Sequence, residues 1–215
     1  MKEPHTFLRL AFFITMRLLV VVLLGLNVRR RHLLPTSGPA LVVANHNSHL
    51  DTLMLISLFP LRMLPHIRPV AAADHFLRNK WAAWFSERII GIIPVQRSGI
   101  TRDCDPLAGC YAALDTGKIL ILFPEGTRGE PEKLSQFKKG VARLAAHAPQ
   151  ASVTPVFIYG LGKALPRDEI ILVPFFCDVF VGAPMPPQAD KNVFMQELNA
   201  RFTALAAEGA FKPWE

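Results

Sequence analysis

The stretch Ala40-Leu41-Val42-Val43-Ala44-Asn45-His46-Asn47-Ser48-His49-Leu50-Asp51 decides how the rest of the chain is read. Its first five residues form a short apolar run after the turn signal Ser37-Gly38-Pro39, and such a run reads as a core strand. The segment from Asp51 to Phe59, ended by Pro60, reads as a short helix. The polar cluster therefore lies where a strand's carboxyl end feeds a helix, the edge at which open α/β sheets hold their ligands.

The chemistry available there is a base with an orienting carboxylate. A neutral imidazole at His46 can take a proton near neutral pH. A carboxylate at Asp51, bonded to the other ring nitrogen, would fix the tautomer and stabilise the imidazolium. Residues five apart on a regular helix point about 140° from each other, so the two meet only if the chain turns between them. A second reading fits the same letters. Ser48-His49-Leu50-Asp51 matches the S-x-x-D/E capping box, in which Asp51 serves the amides of the first helical turn. The stretch by itself leaves both readings open. A metal site of His46, His49 and Asp51 is disfavoured, because no further ligand cluster of familiar spacing occurs elsewhere.

With 215 residues the chain has room for one sizeable core and is short for two. The residues are 51% hydrophobic and the mean hydropathy is +0.27, yet no uncharged apolar run reaches the length of a simple membrane span. The net charge of +7 suits phosphates, anionic lipid headgroups or acidic carriers. Nucleic acid is not expected as a partner, for no RNP, zinc-knuckle or helix-turn-helix signature occurs. Cys104, Cys110 and Cys177 form no C-x-x-C pair, which reads as reduced thiols on the cytosolic side.

Residues 7–28 are apolar but interrupted by Arg9 and Arg17, the uninterrupted part running from Leu18 to Val28. A crossing helix needs about 20 residues, and a mid-span arginine costs on the order of 3 kcal/mol. An interfacial helix is expected instead. Lys2 and Arg9 fall within about 20° of each other on a helical wheel, with Arg17 about 80° further round, which leaves a broad apolar face for lipid. Arg29-Arg30-Arg31-His32 follows and marks the cytoplasmic, anionic side. A signal peptide is disfavoured by the missing small-residue cleavage site; a buried core helix is the other alternative. Residues 1–34 are thus read as a membrane-associating helix with a basic cluster, and 35–215 as the catalytic domain.

Further along, Arg68 to Ala72 reads as a second strand, followed by a helix capped by Asp74 that carries Phe76, Leu77, Trp81, Trp84 and Phe85. These aromatics are expected in the core, with a Trp81/Trp84 face at a membrane surface as the alternative. A helix from about Asp105 stops at Gly117, and Ile119 to Phe123 is the clearest buried strand. Val153 to Tyr159 is another, its Pro155 suggesting an edge or a bulge. Ile170 to Val181 supplies one or two more, and Asn192 to Glu208 is an amphipathic helix closed by Gly209. Alternating strands and helices imply an α/β fold, a mainly parallel sheet with helices on both faces.

The second informative stretch is Phe123-Pro124-Glu125-Gly126-Thr127-Arg128-Gly129. Its glycines and hydroxyl can expose amides to an oxyanion, and Arg128 can grip phosphate with a planar fork. No Walker A loop, G-x-S-x-G elbow or G-x-G-x-x-G turn occurs anywhere. Phe137-Lys138-Lys139-Gly140 opens the next helix; its lysines serve either an anion or a solvated surface.

Four stretches, in order, resemble the lysophosphatidate (1-acylglycerol-3-phosphate) acyltransferase family. Asn45-His46 with Asp51 matches its N-H-x-x-x-x-D motif, and Gly91-Ile92-Ile93-Pro94-Val95-Gln96-Arg97 resembles its second motif, which ends in arginine. Phe123 to Gly129 matches its F-P-E-G-T-R-[SG] motif, and Val153-Thr154-Pro155-Val156 resembles its fourth. The resemblance spans about residues 40 to 185, and the first and third motifs together at this separation carry its specificity. It implies acyl transfer from acyl-CoA or acyl carrier protein to the hydroxyl of a lysophospholipid; with the basic cluster after the N-terminal apolar segment, the reaction is expected at the cytoplasmic face of a membrane. No cofactor is implied beyond that co-substrate. His46 would be the general base and Asp51 its orienting partner, with amides around Gly126 and Thr127 as oxyanion donors. Arg97 and Arg128 would hold the acceptor's phosphate, Glu125 its glycerol oxygens, and Lys138 would add a weaker phosphate contact. Ser48 and the cysteines would be bystanders.

The chain departs from the family in one place. Relatives commonly carry lysine in a V-A-K-like segment after the second strand, where this chain has Val70-Ala71-Ala72-Ala73-Asp74. The departure bears on the acceptor's headgroup more than on the reaction. Lysophosphatidic acid is the expected acceptor, another lysolipid such as a lyso-ornithine lipid is the alternative, and non-catalytic binding of anionic lipid is a third reading. With the F-P-E-G-T-R-G loop at the end of a strand in the same sheet, Asp51 is read chiefly as the partner of His46.

Overall fold

The computed structural model describes residues 4–23, 25–48, 50–76, 79–96, 105–126, 135–164, 176–186 and 188–209. Helix α1 (Thr6–Leu23) leads through strand β1 (Gly25–Arg29) and a 3-10 turn to β2 (Ala40–Ala44) and α2 (Leu50–Ser57). A 3-10 segment (Leu61–His66) then precedes β3 (Ile67–Ala72), α3 (Ala73–Phe76), α4 (Lys80–Phe85), a π-helical turn (Ser86–Ile90) and β4 (Ile93–Val95). There follow α5 (Ala108–Asp115), β5 (Ile119–Leu122), α6 (Gly140–His147), β6 (Ser152–Tyr159), α7 (Leu161–Ala164), β7 (Phe176–Val181) and α8 (Lys191–Ala207).

Among the described residues seven strands form one sheet in the order β1-β7-β6-β2-β5-β3-β4. All neighbours run parallel except β6 and β7. Strand β2 is buried along its whole length because it is covered on every side. It pairs with β5 from Ala40↔Ile119 to Val43↔Leu122 and with β6 from Ala40↔Ser152 to Ala44↔Val156. Its alternate residues feed two cores. Ala40, Val42 and Ala44 meet Phe13 of α1 and Met54 and Leu55 of α2 on one face. Leu41 and Val43 meet Cys110 of α5, Leu144 of α6 and Phe202 of α8 on the other. Each such Leu, Ile or Val contributes roughly 1.5–3 kcal/mol by leaving water. The connections diverge at β2. The helix after β2 covers one face and the helix after β5 covers the other, so a crevice opens between the carboxyl ends of these neighbouring strands.

Several expectations change. Residues 25–29, read as a continuation of the N-terminal apolar segment, form edge strand β1, paired parallel with β7 from Gly25↔Phe176 to Arg29↔Phe180. Gly25 lies at the break, after which exposed and half-buried residues alternate with a strand's period of two. The segments 1–34 and 35–215 therefore share one sheet. Arg9, expected on the watery side of α1, is 2% exposed. The helix packs on α2, on the 3-10 segment Leu61–His66 and on the π-helical turn Ser86–Ile90. There, Nη2 of Arg9 donates to the carbonyls of Ile67 at 2.8 Å and Ile90 at 3.0 Å, groups that burial would otherwise leave needing donors. Gly91, at φ +80°, makes room, since a Cβ there would stand 3.0 Å from three guanidinium atoms.

The helix expected after Asp74 is two short pieces, α3 and α4, the second capped by Asn79 through the amides of Trp81 and Ala82. The aromatics of α4 are not core: Trp81 is 79% exposed, and Trp84 and Phe85 are exposed as well; Leu77 and the side chain of Phe76 lie outside the described residues. They join Phe7, Leu8, Leu10, Ile14 and Leu18 of α1 as exposed apolar groups. The two sets adjoin where Phe12 meets Phe85 edge-on at 5.2 Å. No described helix is long and apolar enough to cross a membrane. Pro155 lies in an interior strand, opposite Val43. Its carbonyl accepts from Gly182 at 2.8 Å, just beyond the β6–β7 ladder that begins at Val156↔Val181. Its ring nitrogen faces that same side, where the β6–β7 ladder has ended, so the missing N–H costs no bond of the β2–β6 ladder.

Candidate active site

At the carboxyl end of β2 the backbone ladders stop and side chains replace them. Asn45, 1% exposed, bonds both backbone groups of Ile158 in β6: its Oδ1 accepts the amide at 2.7 Å and its Nδ2 donates to the carbonyl at 2.8 Å. Asn47 Nδ2 donates to the same carbonyl at 3.2 Å. Between these two anchors the chain turns, which lets His46 and Asp51 meet although they are five residues apart.

Nδ1 of His46 lies 2.9 Å from Oδ2 of Asp51. That one oxygen also accepts the amides of Asn47 at 2.7 Å and Ser48 at 2.8 Å. A single atom thus makes the contacts that both readings of the sequence call for. The bond from Ser48's amide is the reach-back of a capping box, and the contact to the imidazole has the geometry by which a carboxylate orients a histidine ring. Asp51 is wholly buried, whereas the His46 side chain keeps 20% exposure. A carboxylate at Nδ1 selects the tautomer that carries its proton there, which leaves Nε2 with a free lone pair. The imidazole is also stacked on Phe123, centroids 4.2 Å apart and planes inclined by 24°.

Phe123 begins the loop after β5, so the first and third motifs lie side by side across the crevice. Lys138's amide donates to the Pro124 carbonyl at 2.8 Å, and Gly126's amide donates to the Phe123 carbonyl at 3.0 Å. The second bond takes Gly126's amide away from the expected oxyanion donors. Gly126 sits at φ +73°, and a Cβ there would stand 2.7 Å from Lys138 Nζ. Lys138 thus lies directly against the loop.

Glu125, expected to face the acceptor's glycerol oxygens, is 4% exposed, and its Oε1 accepts the His46 amide at 3.1 Å. Burial raises its carboxyl above the ordinary range; the His46 amide and the Ser135 hydroxyl oppose this. Arg97, Thr127 and Arg128, together with His49, lie outside the described residues. Ala72 and Ala73, where relatives commonly carry lysine, are buried. Among the described residues no group of three or more His, Cys, Asp or Glu is placed to hold a metal ion. Cys110 is buried and its thiol is pushed up to about 12 by that burial, which makes it inert as a nucleophile. Sequence reasoning missed the roles of Asn45, Asn47 and Phe123. All three adjoin the singled-out histidine or loop, yet only the folded register shows what they touch.

The Acyltransferase family model matches residues 25–159. A chloroplastic 1-acyl-sn-glycerol-3-phosphate acyltransferase of Arabidopsis thaliana is 32% identical over 147 residues, 66% of this chain and 38% of that protein. A Chlamydomonas reinhardtii protein described by the same activity is 32% identical over 169 residues, 77% of this chain and 48% of its own. The human 1-acyl-sn-glycerol-3-phosphate acyltransferase alpha is 28% identical over 163 residues, 75% and 55% of the two chains. The chain therefore spans about half or less of the length of the curated relatives it matches. The crystal structure of the 1-acyl-sn-glycerophosphate acyltransferase PlsC of Thermotoga maritima superposes with a TM-score of 0.76. It is 19% identical, and the match covers 96% of this chain and 81% of that one; at this identity the likeness establishes the α/β fold.

Proposed function

The chain belongs to the acyltransferase family, and from that premise we propose that it moves a fatty acyl group from a thioester to the free hydroxyl of lysophosphatidic acid, making phosphatidic acid. The observation that carries this reading is the 2.9 Å pair of His46 and Asp51, with the imidazole partly exposed in the crevice beside the loop after β5. Nε2 of His46 takes the acceptor's hydroxyl proton as its oxygen attacks the thioester carbonyl. Asp51, behind the ring, stabilises the imidazolium. When the tetrahedral intermediate collapses, the C–S bond breaks and the thiolate leaves with the proton from His46. One ester forms and one thioester is lost, with no acyl-enzyme. The donor is acyl-CoA or acyl carrier protein and no other cofactor takes part. Lys138, with Arg97 and Arg128, holds the acceptor's phosphate by charge-assisted contacts.

The same reading places the protein on a membrane surface. The exposed apolar residues of α1, with Trp81 and Trp84, suit burial in the interface between headgroups and chains. Arg29, Arg30 and Arg31 suit an anionic cytoplasmic leaflet. One observation favours a second acceptor: the lysine-free, buried Ala72–Ala73 segment leaves one cation fewer beside the site, which suits a lysolipid with a less anionic headgroup.

The test is product analysis by mass spectrometry. Purified protein in detergent receives acyl-CoA or acyl carrier protein thioester with lysophosphatidic acid, lysophosphatidylethanolamine, lysophosphatidylglycerol or a lyso-ornithine lipid. Phosphatidic acid as the dominant product supports the reading. A different diacyl product moves the assignment to that acceptor, and liposome binding without turnover on any acceptor contradicts acyl transfer.

A further inference from the structure

We infer that Glu125 is a positioning residue for the base at His46, and that it does not touch the acceptor. The inference rests on the proposed acyl transfer and concerns how its base is held.

At the crevice the β2–β5 ladder ends at Val43↔Leu122 and the β2–β6 ladder at Ala44↔Val156. Beyond these points side chains carry on the pairing that the backbones have abandoned. On the β6 side Asn45 takes both backbone groups of Ile158. On the β5 side Glu125 Oε1 takes the His46 amide at 3.1 Å. The catalytic loop is thus tied to both neighbouring strands, one tie on each flank of His46. Glu125 lies at the centre of an anchored segment: Phe123 before it is stacked on the imidazole, and the Pro124 carbonyl is fixed by the Lys138 amide. Asp51 holds the ring of His46 and Glu125 holds its backbone.

Burial speaks against a substrate contact. Glu125 is 4% exposed, and its other oxygen, Oε2, is buried without a hydrogen-bond partner among the described residues. A ligand that reaches a hydroxyl of an incoming lipid needs an open oxygen. The raised carboxyl, caused first by burial, agrees with a group enclosed by protein. A residue in this place controls geometry, and a small misplacement of a general base costs about 100-fold in rate.

The experiment compares Glu125→Ala and Glu125→Gln in the full chain in detergent, with kcat, KM for lysophosphatidic acid, and the histidine amide resonances of 15N-labelled protein. Glu125→Ala is expected to lower kcat by about 100-fold while KM changes less than about twofold, and to shift the His46 amide proton upfield as its hydrogen bond is lost. Glu125→Gln keeps an acceptor oxygen, so it recovers kcat to within about fivefold of wild type and keeps the amide resonance in place. A tenfold rise in KM with kcat held in Glu125→Gln would make Glu125 an acceptor ligand and overturn the inference. So would an unmoved His46 amide in Glu125→Ala. Should the alanine variant not fold, Glu125→Gln decides by the same KM-against-kcat split. If the wild type transfers to no acceptor, the function fails, while the amide resonances still read the brace.

Discussion

Oδ2 of Asp51 lies 2.9 Å from the His46 ring and 2.7 and 2.8 Å from the amides of Asn47 and Ser48. One buried oxygen therefore shapes the loop and orients the imidazole. Asp51→Asn is expected to lower kcat by about 10²–10⁴-fold, since an amide no longer enforces the tautomer or offsets the imidazolium. It is also expected to lower the melting temperature, because two amides lose a charged acceptor. Steady-state kinetics and thermal unfolding check both. A variant that melts lower yet keeps wild-type kcat would leave Asp51 as a helix cap alone.

The two faces of α1 are expected to behave differently. Leu18, 63% exposed, and Trp81, 79% exposed, face outward. Leu18→Glu with Trp81→Ala should weaken sedimentation with anionic vesicles by at least tenfold and leave the melting temperature in detergent nearly unchanged. Arg9→Met should do the reverse. It leaves the carbonyls of Ile67 and Ile90 without their guanidinium donor, at a cost of about 3 kcal/mol, while vesicle binding persists. The opposite pattern would mean that α1 docks through its arginine face.

Thr154 is wholly buried in β6, and its Oγ1 has no hydrogen-bond partner among the described residues. Thr154→Val keeps the shape and removes the unsatisfied hydroxyl. It is expected to stabilise by about 1 kcal/mol and raise the melting temperature by about 2–4 °C, with kcat unaffected. A lower melting temperature would show that the hydroxyl has a partner in solution.

Burial raises Glu125 above the ordinary glutamate value of 4.5. An acid raised in the folded state binds more protons there than in the unfolded chain between the two values. Stability therefore falls as pH rises through that window, starting near 4.5, and levels off above the folded value. Glu125→Gln has no such dependence. The wild type should lose stability relative to the variant as pH rises above 4.5, read as denaturant midpoints at successive pH. A relative gain with pH would show a carboxylate stabilised in its charged form.

Much of this was legible in the letters. Runs such as Ile119 to Leu122 are apolar without interruption because both faces of the strand are covered, so they read directly as core strands. His46, Asp51 and the Phe123–Gly126 loop were found because chemistry-bearing residues follow such runs. Strand β1 was not legible: its alternation is only five residues long and follows an apolar helix without a polar break. Arg9 was misread because a helical wheel says which residues share a face, yet not which face the protein claims; that depended on two carbonyls over fifty residues away. The α4 aromatics failed for the same reason, since an apolar stripe fits lipid as well as core. Glu125 shows the limit at the site itself. Its motif marks it as important, but only the register of β2 on β5 puts its oxygen on the amide of His46.

The most direct test of the central claim is thiol release from acyl-CoA with lysophosphatidic acid, compared between wild type and His46→Ala at matched folding. The pair at 2.9 Å is expected to make His46 indispensable, so the alanine variant should lose at least about 10³-fold in kcat, beyond the 10²–10⁴-fold range's lower bound for a positioned base, while it melts within a few degrees of wild type. Turnover in His46→Ala equal to that of the wild type would contradict the account.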